Sequence, residues 1–242
     1  MNTAENPNNN KKDIMLPLGP LDLFPPTYEI INHNILNERS QAWGKIRQKT
    51  FIETGTFHGH GVTSALSLGF KDIHSIEINP LFFNTARFRI ISLILVNKEN
   101  IPLETYSTPN FFSVVFDDEV RISLYLGDTV EVLPQVLKRV EDSAFFWLDA
   151  HWSGDKTNLD NILNESTPLD QKVPILKELE IIKAHTIKNN TICIDDYDQV
   201  CSAVGSFKKL KNKILEINNQ FRVKVKGSEN KIVIADLGEQ GA

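Results

Sequence analysis

The sequence has no apolar run long enough to cross a membrane and no basic block dense enough to hold nucleic acid. A span needs about 20 consecutive apolar residues, and phosphate contacts need clustered Lys and Arg. The net charge is −5. The richest basic patch, Lys208-Lys209-Leu210-Lys211 with Lys213, reads as the solvated face of a helix. Cysteine is scarce. Cys193 and Cys201 lack metal-ligand spacing, and Cys193 sits in an apolar run, so a core thiol and a reduced, cytoplasmic setting are expected. The opening MNTAENPNNNKKD lacks the apolar stretch of a signal peptide, and Met1 to Asp13 is expected to be a disordered polar tail. There is no Gly-Lys-Ser/Thr for a nucleotide P-loop, no Tyr-x-x-x-Lys and no internal repeat.

What remains is a chain of 242 residues with the composition of an ordinary globule, enough for one large domain. Residues 14–49 read as a loop and helical segment and 50–242 as the main domain. Leu16 to Thr27 carries too many prolines for regular structure, and Tyr28 to about Trp43 has helical apolar spacing. From Thr50 strands and helices alternate. Strands are expected at Thr50–Glu53, Asp72–Ile78, Val120–Leu126, Ala144–Leu148 and Thr191–Ile194. Helices are expected at Val62–Leu68, Pro80 to about Val96, Thr129–Val140, Val173 to about Lys188 and Gln199 to about Asn218. Asn97 to Asp118 reads as an irregular insertion, and His151 to Lys172 as a polar loop. Gln220–Lys226 and Lys231–Ala235 form a terminal hairpin. The fold class is therefore α/β: a doubly wound, mostly parallel seven-stranded sheet with a C-terminal antiparallel hairpin.

Ligands of such sheets bind beyond the carboxyl ends of the strands. Glu53, Glu77, Asp128, Asp149 and the pair Asp195-Asp196 all lie at those ends. Helix capping explains one or two such acids, not all of them. The first end reads FIETGTFHGHG, Phe51 to Gly61, with glycines at 55, 59 and 61. A dinucleotide G-x-G-x-x-G fails, because Ser64 stands at the third glycine. An acid beside the glycines also disfavours a diphosphate at the helix N-terminus. A cationic, phosphate-free nucleoside suits it better.

The pattern Glu53-x-Gly55-x-x-x-Gly59-x-Gly61 resembles motif I of the class I S-adenosylmethionine (SAM) methyltransferases, whose sheet is Rossmann-like. The resemblance covers about Phe51 to Gly238. It implies that Glu53, Thr54, Gly55, Thr56, Gly59 and Gly61 form the loop under the amino acid and ribose of SAM. Glu77, followed by Ile78, would take the ribose hydroxyls, as a bidentate carboxylate does well. Gly127 and Asp128 would lie near the adenine amino group, with Asp149 also lining the cofactor. His58 and His60 flank the glycines and are expected to shape the loop or face solvent.

Asp149, Asp195 and Asp196 come from two strand ends. Carboxylates that converge repel one another unless a cation sits between them, and all-oxygen ligands favour Mg²⁺. WLDAHWSGD with CIDDYD is similar to the metal-dependent O-methyltransferases. The Asp, then Asp-Asp-Tyr order is nearer the sugar-modifying macrocin type than the catechol type. The catechol type has a lysine base three residues after its first metal Asp; here Trp152 stands there, and Lys156 lies further on. His151 is the first candidate base and Asp149 the second. Trp152, Phe111, Phe112 and Tyr197 are candidate acceptor walls. The expected activity is Mg²⁺-dependent O-methylation of a sugar, glycan or small hydroxylated molecule, with no nucleic acid or membrane partner. A homodimer stays open. The rival readings are a non-catalytic SAM- or glycan-binding module and a nicotinamide-dependent oxidoreductase, the latter disfavoured by Ser64 and the missing Tyr-x-x-x-Lys.

Overall fold

A computed structural model describes Trp43 and residues 46–97, 103–117, 119–151, 172–228 and 231–238. The expectations for Met1–Asp13, Leu16–Thr27, Trp152, Lys156 and most of the 151–172 loop lie outside these residues, as does all of the Tyr28–Trp43 helix except Trp43. The strands are β1 (Thr50–Thr54), β2 (Asp72–Glu77), β3 (Glu104–Thr108), β4 (Phe111–Phe116), β5 (Val120–Leu126), β6 (Ala144–Leu148), β7 (Thr191–Ile194), β8 (Arg222–Lys226) and β9 (Ile232–Asp236). The helices are α1 (His60–Ser67), α2 (Pro80–Asn97), α3 (Thr129–Leu137), α4 (Ile175–Ala184), α5 (Tyr197–Val204) and α6 (Phe207–Ile217).

All nine strands join one sheet in the order β3-β4-β5-β2-β1-β6-β7-β9-β8. β5, β2, β1, β6 and β7 are parallel, while β9 runs antiparallel to both β7 and β8. The seven expected strands are present. The sheet is nevertheless nine-stranded and mixed, because the segment expected to be irregular folds as the β3–β4 hairpin. β4 pairs antiparallel with β5 from Phe111↔Tyr125 to Phe116↔Val120. In β4, Phe112, Val114 and Phe116 alternate inward and are buried. That period of two marks a half-buried strand.

Alternation along the central strands divides the core between two faces. Phe51, Ile73, Ile122, Phe145 and Trp147 pack with Val62 and Ala65 of α1 and with Phe83, Ala86 and Ile90 of α2. Trp43 closes this layer, its ring centroid 5.1 Å from Trp147 and 5.2 Å from Phe145. Ile52, Ile76, Phe146, Leu148 and Ile194 face α3 to α6. The single helix expected over Gln199–Asn218 is two. Gly205, at φ 94°, ends α5, and the Ser206 hydroxyl accepts from Lys209 N–H to start α6. Among the described residues no helix is long and apolar enough to cross a membrane.

Candidate active site

The chain leaves β1 for β2 on one side and later crosses to β6 on the other, so a crevice opens beyond the carboxyl end of β1. The β1–α1 loop borders it. Gly55 has φ 83° and packs so closely on β6 that an added Cβ would stand 2.5 Å from the Asp149 carbonyl oxygen. Gly61 opens the first turn of α1 over Glu53, where a Cβ would fall 1.7 Å from Oε1. These glycines are required by the protein's own packing. Phe57 has φ 48°, a region costly for a large side chain. It is held there from one side by a hydrogen bond of 2.7 Å from its N–H to Glu77 Oε2.

Glu77 is the hub of this corner. Its Oε1 accepts from Asn79 N–H at 2.8 Å, so one carboxylate ties the glycine loop to the end of β2. Burial pushes its pKa up to about 7, against the opposing backbone hydrogen bonds, and the charge of Asp149 adds to the rise. Glu53 is buried at the end of β1 and accepts from Ser75 Oγ at 2.5 Å; Ser75 in turn meets Thr56 Oγ1 at 2.5 Å. Glu53 therefore braces the floor of the loop. Ile78 is half-buried behind Glu77. Gly127 N–H donates to the Glu77 carbonyl, which docks the end of β5 on β2. Asp128 is exposed and caps α3, accepting from Val130 N–H at 2.8 Å.

Beyond β6 and β7 the structure brings together Asp149, His151 and Asp196. Their ligand atoms all lie within 4.8 Å of one another, and Asp195 is not part of this group. His151 Nδ1 is 3.2 Å from Asp149 Oδ1, and Nε2 is 2.6 Å from Asp196 Oδ2. Burial works to lower the His151 pKa, but hydrogen bonds and charge from the two carboxylates outweigh it and hold the pKa at about 10. An imidazolium with both N–H groups engaged has no lone pair to take a proton. Asp196 has φ 47° and stands at the N-cap of α5 without capping it. Its side chain is turned to His151 instead. Asp tolerates this conformation better than most residues, and the unused cap marks a side chain held for another purpose.

Of the expected cation set Asp149, Asp195 and Asp196, the structure brings Asp149 and Asp196 together, with His151 between them, and leaves Asp195 buried at the end of β7 outside this group. Asp149 and Asp196 offer a divalent cation two oxygen ligands, and His151 could add a nitrogen only after giving up a proton, which would lessen the bias to Mg²⁺. Of the proposed acceptor walls, Phe112 is core, with Arg87 5.3 Å above its ring. Phe111 packs on Tyr125 and Tyr197 on Phe207. His58 packs against Phe57 and Phe82, which also touch each other. A cavity of about 360 Å³ opens at the opposite, amino end of the strands. Lys49, Lys71, Arg121 and Arg139 there face Asp72, Glu119, Glu141 and Asp142, so the lining is balanced in charge.

One residue of the site escaped the sequence reading. Glu178 of α4 is 1% exposed. It sits on the buried stripe of Ile175, Leu179 and Ile182, and an acid at such a position was the available signal. Burial pushes its pKa up to about 7; the hydroxyls of Thr129 and Thr54 offset part of this, and the charges of Asp128 and Asp149 add to it.

No protein-family model matches the sequence, and no curated protein matches it either. Solved structures are similar in fold. The cofactor-bound Rv0187 protein from MTB has a TM-score of 0.50 at 12% identity, over 88% of this chain and 84% of that one. Precorrin-6y C5,15-methyltransferase from Geobacter metallireducens GS-15 has a TM-score of 0.47 at 12% identity, over 88% and 93%. The O-methyltransferase TomG from Streptomyces achromogenes, in complex with SAM, has 0.45 at 11%, over 83% and 77%. Identities this low speak to fold alone. The fold is a Rossmann-like α/β fold.

Proposed function

We propose that the protein is a SAM-dependent methyltransferase acting on a hydroxyl of a sugar, a glycan or a small hydroxylated molecule, with a divalent cation, Mg²⁺ first, at Asp149 and Asp196. One observation carries the cofactor: a glycine loop, Glu77, Asp128 and Asp149 converge at the carboxyl ends of β1, β2, β5 and β6. Acids without a phosphate-binding lysine suit a sulfonium nucleoside and repel a diphosphate. In this reading Glu77 accepts the ribose hydroxyls with its remaining lone pairs while it keeps the loop in place. Asp128 accepts from the adenine amino group with the oxygen that does not cap α3. The cation, when bound, supplies a Lewis acid that lowers the pKa of the acceptor hydroxyl.

The chain's own residues then orient the acceptor and accept its proton. With His151 doubly hydrogen-bonded and protonated, the base available in this arrangement is a carboxylate, Asp149 before Asp196. Positioning supplies much of the rate in such a transfer. The hydroxyl acceptor rests on the acidic pair of strand ends, and the sugar on the Asp-Asp-Tyr resemblance.

A second reading, a binding module of the same fold without turnover, is favoured by one feature. His151 already bridges Asp149 and Asp196 and offsets one of their two charges. Calorimetry with S-adenosylhomocysteine (SAH), repeated with Mg²⁺, separates these readings. Micromolar SAH binding with a separate Mg²⁺ heat supports the enzyme. SAH binding without a Mg²⁺ heat points to the module, and no SAH binding by folded protein removes the cofactor.

A further inference from the structure

Glu178 is the most deeply buried acid near the site, and no step of the proposed reaction uses it. Its Oε1 and the buried Thr129 Oγ1 nearby make no hydrogen bond of good geometry, although the hydroxyls of Thr129 and Thr54 stand close enough to act on its charge. Thr54 ends β1, Thr129 begins α3, and Asp149 ends β6. Glu178 lies where these elements meet, on the helix that follows the 152–171 segment. A leucine there would continue the stripe of Ile175, Leu179 and Ile182 and need no polar partner. An acid in its place points to the strand ends beside it.

We propose that Glu178 is a positioning residue: through Thr129 and Thr54 it sets the α3 N-terminus and the β1 end so that Asp128 and Asp149 face one ligand together. The proposal rests on the cofactor reading, since SAH is the ligand that spans those two acids. A carboxyl group can donate from one oxygen and accept on the other, so it can bridge two hydroxyls. Its amide counterpart can do the same, and a hydrocarbon cannot.

The test is SAH affinity by calorimetry, with the melting temperature of each ligand-free variant. Glu178→Leu is expected to melt at or above the wild-type temperature and to bind SAH about tenfold more weakly, or about 1.4 kcal/mol. Glu178→Gln is expected to bind within about twofold of wild type, because it restores a donor and an acceptor. A structural brace gives the reverse pattern, a lowered melting temperature with affinity intact in the folded fraction, and that result overturns the proposal. Equal affinity of the leucine variant at any stability overturns it too. Should Glu178→Leu fail to fold, Thr129→Val decides. It weakens SAH binding about as much in the wild-type background and by less than twofold beside the isosteric apolar Glu178→Met only if the two residues act as a unit. Equal losses in both backgrounds overturn the coupling. Absence of SAH binding by the wild type is a different failure and removes the cofactor reading itself.

Discussion

At the scale of single residues, side-chain direction decides chemistry. Asp195 and Asp196 are neighbours, yet only Asp196 joins His151 and Asp149. Successive residues leaving a strand point to opposite sides, and the left-handed backbone of Asp196 turns its carboxylate to the crevice. If His151 holds two carboxylates apart in place of a metal, His151→Ala should lose about 2 kcal/mol of stability without metal. The same variant should gain more from Mg²⁺ in a thermal melt than the wild type does. Equal shifts would remove the competition between His151 and the cation, and no Mg²⁺ shift in either protein would remove the cation site. Gly55 offers a plainer test. A Cβ there meets backbone of β6, which cannot step aside, and φ 83° adds strain. Gly55→Ala should therefore cost about 3 kcal/mol or more in urea unfolding. Glu77→Ala frees two N–H groups, at Phe57 and Asn79. It should weaken SAH binding by about a hundredfold, and retention of affinity would separate Glu77 from the cofactor.

At the scale of elements, local pattern reports kind more faithfully than neighbour. The apolar runs at Ala144–Leu148 and Thr191–Ile194 are strands with the expected limits, because strands covered on both faces read as continuous apolar runs. The β3–β4 hairpin was not legible in the same way. β3 is exposed along its whole length, and Pro102 and Pro109 flank a segment that alternates only weakly. Its reason for being a strand is the edge of β5, far outside any local window. The hairpin is load-sharing core on its β4 side, so Phe112→Ala should cost about 3–5 kcal/mol. A cost below about 1 kcal/mol in chemical unfolding would return the segment to the status of an insertion. Gly205 shows the opposite case. One glycine in a helical pattern was passed over, and it ends α5.

At the scale of the whole molecule, buried acids set the response to pH. Glu77 and Glu178 keep their protons in the folded state up to about pH 7, while in the unfolded chain they ionise near 4.5. The folded protein then binds more protons than the unfolded one, so stability falls as pH rises from about 4.5 to 7 and this effect levels off above that. His151 adds a loss of the same sign at higher pH. Its raised pKa stabilises the fold below about 6.5, and that contribution disappears as pH rises through about 10. Urea unfolding at pH 5, 7 and 9 should show a steady decline. Glu178→Gln should flatten the lower part, by about 3 kcal/mol at most. A rise in stability between pH 5 and 7 would contradict the buried state of both acids.

By itself, the sequence determined the order of strands and helices from Thr50 onward, the acids at the strand ends and the glycine loop between β1 and α1. Those features follow from periods of 2 and 3.6 residues and from turn chemistry, which act over a few neighbours. Only the tertiary structure decided which acids meet. Strand order, the αL turn at Asp196 and the docking of α4 against β1 and α3 depend on contacts between residues far apart in the chain. That is why His151, and not Asp195, meets Asp149 and Asp196, and why Glu178, an acid on an apolar stripe, lies against the strand ends.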